Sequence, residues 1–216
     1  MSDKIQTDKA NWIEIEDTRR KHEHIYNLDS SEPLRFAYSC TYLILARRTL
    51  KHMSLLQAEC LINSKSSKME ESRFKFIQCA ADHSHNILNL FLSMSDLTTY
   101  VHPVYENLLC SFAMVTLVEL ANHIPNTFDT VTLMEQAISH IQPGGTAESV
   151  GRWSLGVMKQ CITEENEMDS ISQGTSNISG ELFDSSLKPQ RPQKKASWNL
   201  EREFPSLQEI FFESLS

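Results

Sequence analysis

Glycine is missing from residues 1–143 of this 216-residue chain, and all six of its glycines lie at Gly144 or later. An average chain carries about 7% glycine, so about ten would be expected there. Strands, tight turns, phosphate-binding loops and nucleophile elbows use glycine to reach backbone angles that other residues avoid. The absence predicts an all-α protein and removes most sequence motifs of enzymes. We therefore expect a scaffold or interaction protein, not an enzyme.

An excess of basic charge and a long apolar run are also lacking. The net charge of −8 disfavours direct binding to nucleic acid, which needs a basic surface. The longest apolar run, Leu108–Ala121, is interrupted by Glu119 and is too short to span a bilayer. The N-terminus has no apolar core after a basic segment, so we expect no signal peptide. These features predict an intracellular protein that contacts neither nucleic acid nor membrane.

Closely spaced cysteines are absent too. Disulfide frameworks and zinc knuckles need tighter spacing than this chain offers. We expect all five cysteines to be reduced and to pack as small apolar residues. They are Cys40, Cys60, Cys79, Cys110 and Cys161.

The hydrophobic pattern predicts a single bundle of about five main helices over residues 34–163. A charged N-terminal segment, residues 1–33, precedes it, and we expect residues 1–26 to be a weak helix or a frayed end. The expected helices are Leu34–Asn63, Met69–Tyr100, Val104–His123, Thr130–Ile141 and Ala147–Thr163. Pro33 and Pro103 favour helix starts, and the Gly144-Gly145 pair favours a turn. The helix at 104–123 is apolar almost all round, which predicts a central position.

Helical spacing also predicts which faces are buried. The first helix is expected to bury Leu34, Tyr38, Tyr42, Leu45, Leu50, Met53, Leu56 and Cys60, with Arg47, Arg48 and Lys51 on the other side. The second is expected to bury Phe74, Ile77, Ala81, Ile87, Leu88, Phe91, Leu92 and Leu97. Gly151 and Gly156 weaken the last helix but would permit close packing.

Beyond residue 163 the composition changes. Residues 164–184 contain six acids and no Lys or Arg, and the basic, proline-containing run Lys188–Lys195 (KPQRPQKK) follows. So little apolar surface predicts a disordered acidic linker over residues 164–198. The basic run is either a nuclear import signal or linker charge.

The last segment, residues 199–216, regains aromatic residues. One face of a short amphipathic helix would carry Leu207, Ile210, Phe211 and Leu215, and Phe204 and Phe212 widen the apolar surface. Acidic neighbours keep such a segment solvated until it folds into the groove of a partner. The alternative is a terminal helix that packs on its own bundle, which the long polar linker disfavours.

One further group of side chains is a candidate site. Cys79, Asp82, His83 and His85 have the residue types of a metal site, but only Cys79 and His83 share a helix face, and two ligands do not complete a tetrahedral site. We expect surface and core roles for them, with no metal. Because no phosphate loop or glycine-flanked nucleophile is present, we expect no cofactor and no catalytic residue.

The order of these pieces resembles the second half of fungal binuclear zinc-cluster transcription factors. The resemblance rests on Ala80–Leu92 (AADHSHNILNLFL), on His102–Ala121 (HPVYENLLCSFAMVTLVELA), and on the helix containing Trp153. It covers residues 34–163, which match the helical middle homology region, and residues 199–216, which match the activation tail.

The resemblance implies a nuclear regulator of transcription whose helical region responds to a partner or an unidentified small molecule. Its tail would recruit a coactivator protein through Phe204, Leu207, Ile210, Phe211, Phe212 and Leu215. The six cysteines of the family's DNA-binding module, spaced C-x2-C-x6-C, do not occur here. No DNA-contacting residue can therefore be carried over. The alternative is a cytoplasmic helical adaptor that uses the same tail for docking.

Overall fold

The computed structural model describes residues 2–28, 30–59, 67–95, 103–124 and 126–174, and within these ranges every regular element is a helix. The helices are α1 (Ser2–Lys21), α2 (Glu23–Tyr26), α3 (Glu32–Glu59), α4 (Ser67–Ser95), α5 (Val104–Glu119), α6 (Thr127–His140) and α7 (Thr146–Gly174), with a 3-10 turn at Ala121–His123. The prediction of an all-α bundle is confirmed.

Helix boundaries follow local chemistry at several points. Pro103 directly precedes α5, and its carbonyl accepts the Glu106 amide at 3.0 Å. Asn126 caps α6 by accepting the Asp129 amide at 3.4 Å. Gly144 adopts a φ of 80° in the turn before α7, a conformation that side chains disfavour. The predicted turn and the predicted start of α5 are both confirmed.

Helix α5 lies at the centre of the bundle, between α4 and α7, and α6 packs against the same two helices. Most of its side chains are buried, with Cys110, Ala113, Met114 and Leu117 fully inaccessible. An apolar helix needs neighbours on several sides, so its sequence fits this position. The predicted central position is confirmed.

Helix α3 buries the expected face only in part, and the expected positions Leu56 and Cys60 have no described side chains. Tyr42 and Leu45 are buried as predicted, but the side chains that enter the core are Phe36, Cys40, Leu43 and Ala46. Because α3 packs against both α4 and α1, it buries more than one stripe. Arg47, expected on the opposite side, forms an ion pair with Glu119 of α5. On α4, Phe74 was expected in the core and is 58% exposed.

The two ends of the bundle compare differently with expectation. Helix α1, over Ser2–Lys21, agrees with the helical alternative for the N-terminal segment, and its Trp12 packs against the core. Helix α7 continues to Gly174, beyond the predicted end at Thr163, and occupies the first part of the predicted linker. Residues 164–173 contain no Pro or Gly that would stop a helix. The rest of the predicted linker and the tail lie outside the described residues.

Candidate functional site

An open groove of about 550 Å³ lies between α4 and α6. Most of the side chains that line it are polar. From α4 they are Gln78, Ala81, Asp82, His85 and Asn89, and from α6 and the turn before it Ile124, Asn126, Asp129, Thr130, Thr132, Leu133 and Gln136.

The groove is polar because each helix turns its polar stripe toward it. On α4, Gln78, Asp82, His85 and Asn89 recur at intervals of four, three and four residues, which places them on one helix face. This stripe spans about 16 Å at 1.5 Å per residue. The apolar stripe of the same helix, which includes Ile87 and Phe91, is buried in the core.

His85 joins the two walls of the groove. Its Nδ1 lies 3.0 Å from the Ala81 carbonyl oxygen, and its Nε2 lies 2.9 Å from Thr130 Oγ1 on α6. A carbonyl oxygen only accepts, so Nδ1 donates this bond. Burial lowers the pKa of His85 below its ordinary value, which favours the neutral ring.

The groove also carries two carboxylates. Asp82 accepts a hydrogen bond from Gln78 at 2.8 Å, and Asp129 accepts one from Asn126. Both acids lie within one helical turn of the His85–Thr130 contact, so their charges act on the same part of the groove. No Lys or Arg side chain is among the described residues that line it. The groove is therefore suited to a positively charged group.

The structure separates the four side chains that have the residue types of a metal site. Asp82 and His85 line the groove, whereas His83 stacks on Tyr42 with 4.8 Å between ring centroids. Cys79 is half-buried, and burial raises its pKa to about 11. Within the described ranges, no three His, Cys, Asp or Glu side chains converge in a way that could hold a metal ion.

A second cluster joins α1, α3 and α4. Trp12 packs against Tyr42 and Phe76, with ring centroids 5.5 and 5.9 Å away. The Tyr42 hydroxyl donates to Glu16, whose pKa is lowered by its hydrogen bonds with Arg19 and Tyr42. The indole nitrogen of Trp12 and Nδ1 of His83 are both buried without a hydrogen-bond partner. This cluster fixes α1 to the bundle.

The buried thiols are poorly suited to nucleophilic chemistry. Burial raises the pKa of Cys40 to about 12 and that of Cys110 well above its ordinary range. Deprotonation of either thiol is therefore disfavoured at neutral pH. None of the four described cysteines forms a disulfide bond with another described residue.

The residues predicted to bind a coactivator all belong to the C-terminal segment, residues 199–216. Phe204, Leu207, Ile210, Phe211, Phe212 and Leu215 lie outside the described residues. Sequence reasoning missed the groove itself, although the polar stripe on α4 was visible. A stripe on one helix does not reveal which helix faces it.

Comparison of the chain with protein-family models, with curated proteins and with solved structures finds no match. Among the helices that the structure describes, none is both long enough and apolar enough to cross a membrane.

Proposed function

We propose that this protein is a nuclear regulator of transcription, in which the helical bundle carries a C-terminal segment that binds a coactivator. The observation that carries the proposal is the acidic, aromatic pattern of residues 199–216, which follow a domain with a core of its own. The resemblance to the zinc-cluster factors supports this assignment through the same order of parts.

Binding, not catalysis, is the proposed activity of the helical domain. The support is that the potentially reactive side chains named here make structural contacts or are buried. His85 holds α4 to α6 and His83 stacks on Tyr42. The buried thiols of Cys40 and Cys110 have raised pKa values.

In the tail, Phe211, Leu207 and Leu215 are spaced by four residues and would share a helix face. An amphipathic helix of this kind lies with its apolar face in a partner's groove. The acids at Glu209 and Glu213 would face solvent. The tail therefore has the pattern of a segment that orders on binding.

A reporter assay tests the tail directly. Residues 197–216 are fused to a foreign DNA-binding domain, and transcription is compared between the native segment and the F211A/F212A variant. We expect activation from the native segment and its loss in the variant. The matched control, S206A/S214A, changes two polar positions of the same segment and should leave activation intact. Absence of transcription from the native segment would reject the activation function.

The location of the full chain separates the regulator from the adaptor. We expect the protein to accumulate in the nucleus when it is tagged and expressed at a low level. Exclusion from the nucleus, combined with capture of a partner through Phe211 and Phe212, would instead support the cytoplasmic adaptor.

A further inference from the structure

Tyr42 of α3 receives two side chains of α1. Its ring centroid lies 5.5 Å from that of Trp12, and its hydroxyl donates a hydrogen bond to Glu16, one helical turn further along α1. Residues four apart share one face of a helix, so both contacts lie on the same side of α1. Trp12 also touches Phe76 of α4, with 5.9 Å between ring centroids. Tyr42 is therefore central to the seat of α1 on the bundle.

The same tyrosine stacks on His83 of α4. The two ring centroids are 4.8 Å apart and the planes are inclined by 12°, so the rings lie nearly face to face. Nδ1 of His83 is buried, and it has no hydrogen-bond partner within the part of the chain that the structure describes. A neutral imidazole carries one proton and can leave the other nitrogen bare, so the neutral ring with its proton on Nε2 fits this position.

A protonated His83 does not fit the stack in the same way. Both nitrogens of an imidazolium carry a proton, so Nδ1 would become a buried donor without an acceptor. Burial of an unpaired donor on a charged ring is costly. A cation above an aromatic ring is attracted to it, but this attraction to Tyr42 supplies no acceptor for the Nδ1 proton. We therefore expect the protonated ring to leave Tyr42 and turn toward water.

The titratable neighbours of His83 on its own helix do not remove this cost. Asp82 acts to raise the pKa of His83, but burial has the larger effect and the pKa is lowered. The Asp82 side chain lines the groove on the other side of α4. Cys79, one turn before His83, is half-buried, and burial raises the pKa of its thiol to about 11, so it carries no charge near neutral pH.

The neighbours from α3 and α1 do not remove it either. Burial raises the pKa of Tyr42, so its hydroxyl stays neutral. The Glu16 carboxylate of α1 accepts from this hydroxyl and lies 2.7 Å from the Arg19 guanidinium, which balances its charge. Among the described residues, neither helix therefore supplies a carboxylate that pairs with His83.

Helix α1 is the element that can yield at low cost. The indole nitrogen of Trp12 is buried without a hydrogen-bond partner among the described residues, which opposes the docking of α1. The next side chain, Ile13, is 54% exposed, whereas Leu43 and Ile87 in the core behind the stack are inaccessible. Elements with few buried contacts open locally while the core stays closed.

We propose that α1 is a strap whose docking is coupled to the charge of His83, and that acid releases it while the core remains folded. At neutral pH the stacked ring of His83 holds Tyr42 in the position that receives Trp12 and Glu16. When His83 gains a proton, its ring leaves Tyr42 and α1 detaches. Release uncovers the rings of Trp12, Tyr42 and Phe76. The proposal does not depend on the activity of the C-terminal tail.

Hydrogen–deuterium exchange of the full chain at pH 7.5 and pH 5.5, read by mass spectrometry, tests this coupling. Dividing each rate by the intrinsic rate at that pH gives the opening of each helix. We expect α1 to open about three- to tenfold more at pH 5.5, while α5 stays closed. The upper bound is about tenfold, because a released histidine with an ordinary pKa of about 6.5 is protonated about ten to one at pH 5.5.

Variants identify the group that titrates. H83F keeps a ring on Tyr42 but cannot gain a proton, so α1 should open equally at the two pH values. H83M is a second variant without a titrating group, and its α1 should also open equally at both. The matched control is H85F, which removes another partly buried histidine of α4 that contacts Thr130 of α6, and it should keep the pH dependence. E16Q should keep it too, because the pKa of Glu16 is lowered and lies below this range.

Four results would overturn the proposal. The first is equal opening of α1 at pH 5.5 and pH 7.5 in the native chain. The second is a rise in H83F or H83M as large as in the native chain. The third is opening of α5 together with α1 at pH 5.5, which would show unfolding of the whole bundle. The fourth is full exchange of α1 already at pH 7.5, which would show that this helix is not docked.

Discussion

Gly151 and Gly156 both lie on α7 but in different surroundings. A Cβ added at Gly151 would lie 3.2 Å from Ile138 Cγ1 and 3.2 Å from Met114 Sδ, whereas one at Gly156 would meet nothing within 4 Å. Alanine is favoured over glycine in a helix by about 0.5–1 kcal/mol, while overpacking a core costs about 1–3 kcal/mol. We expect G156A to raise the free energy of unfolding and G151A to lower it or leave it unchanged. If urea unfolding shows an equal rise in the free energy of unfolding for G156A and G151A, that result would contradict the close packing at Gly151.

Arg47 connects α3 to α5 through its guanidinium group. It lies 2.7 Å from the Glu119 carboxylate, donates to Thr116 Oγ1 at 2.6 Å, and covers the Phe112 ring at 4.8 Å from its centroid. Its side chain is only 21% exposed. Because hydrogen bonds to charged groups contribute about 1.5–3 kcal/mol, R47M should lower the free energy of unfolding by a similar amount. R47K should give an intermediate loss, since lysine keeps the charge without the planar fork.

The control for Arg47 is R152M. Arg152 is 68% exposed and pairs with Glu148 one turn away on α7. Exposed pairs of this kind contribute little, so the change should stay within about 0.5 kcal/mol. If both variants lose the same stability in urea unfolding, the partly buried contact between α3 and α5 contributes no more than an exposed pair.

His83 makes the stability of the bundle depend on pH. Burial lowers its pKa from 6.5, so below that pH the unfolded chain binds more protons than the folded one. The free energy of unfolding should therefore be constant above about pH 7 and fall as the pH drops to about 5.5. H83F keeps a ring on Tyr42 and removes the buried, unpartnered Nδ1. It should reduce this dependence without loss of stability at pH 7.5.

His85 serves as the comparison for His83 when the free energy of unfolding is measured over the same pH range. Its pKa is also lowered by burial, so it contributes to the same slope, but both of its ring nitrogens have partners. H85F should therefore be less stable than the native chain at pH 7.5 by about 1 kcal/mol. The lowered pKa of Glu16 acts only below about pH 4.5, outside this window. An unchanged slope in H83F, measured by urea unfolding at each pH, would show that His83 does not titrate there.

At the level of helices, Trp12 is the apolar side chain of α1 that packs against the core, among the side chains of this helix that the structure describes. Trp12 packs on Tyr42 and Phe76, while the neighbouring Ile13 is 54% exposed. We expect W12A to release α1 without unfolding the core, because elements with few buried contacts open locally. The backbone amides of α1 should exchange with solvent at least about tenfold faster than in the native chain, while those of α5 remain protected.

The control for this prediction is I13A, which changes an exposed apolar side chain on the same helix and should leave exchange unaltered. Faster exchange in α5 to the same extent as in α1 would show that α1 unfolds together with the core.

The helices differ in how far the sequence alone predicted them. The central position of α5 was predictable, because a helix that is apolar all round has to be enclosed. Trp12 gave too weak a signal in a charged segment for α1 to be placed on the bundle. The buried face of α3 was predicted only in part, because a helix with neighbours on two sides has no single apolar stripe. Arg47 of this helix pairs with Glu119, a residue distant in the sequence.

The groove was beyond sequence reasoning for a similar reason. Asp82 and His85 were noticed as candidate ligands, but Asp129 and Gln136 had no feature that linked them to α4. The contact that joins the walls, His85 to Thr130, connects residues 45 positions apart. Only the packing of α4 on α6 creates the site.

For the whole molecule, the bundle should be stable without its C-terminal region. Every described core residue lies between Phe36 and Met158, and Trp12 and Ile162 pack against that core. Deletion of residues 176–216 should therefore change the free energy of unfolding by no more than about 1 kcal/mol, the scale of a few exposed charge contacts. Deletion of residues 2–21 should lower the free energy of unfolding by a larger amount, because Trp12 is lost with α1. If removing residues 176–216 has the larger effect in urea unfolding, the tail is part of the core and is not a segment presented to a partner.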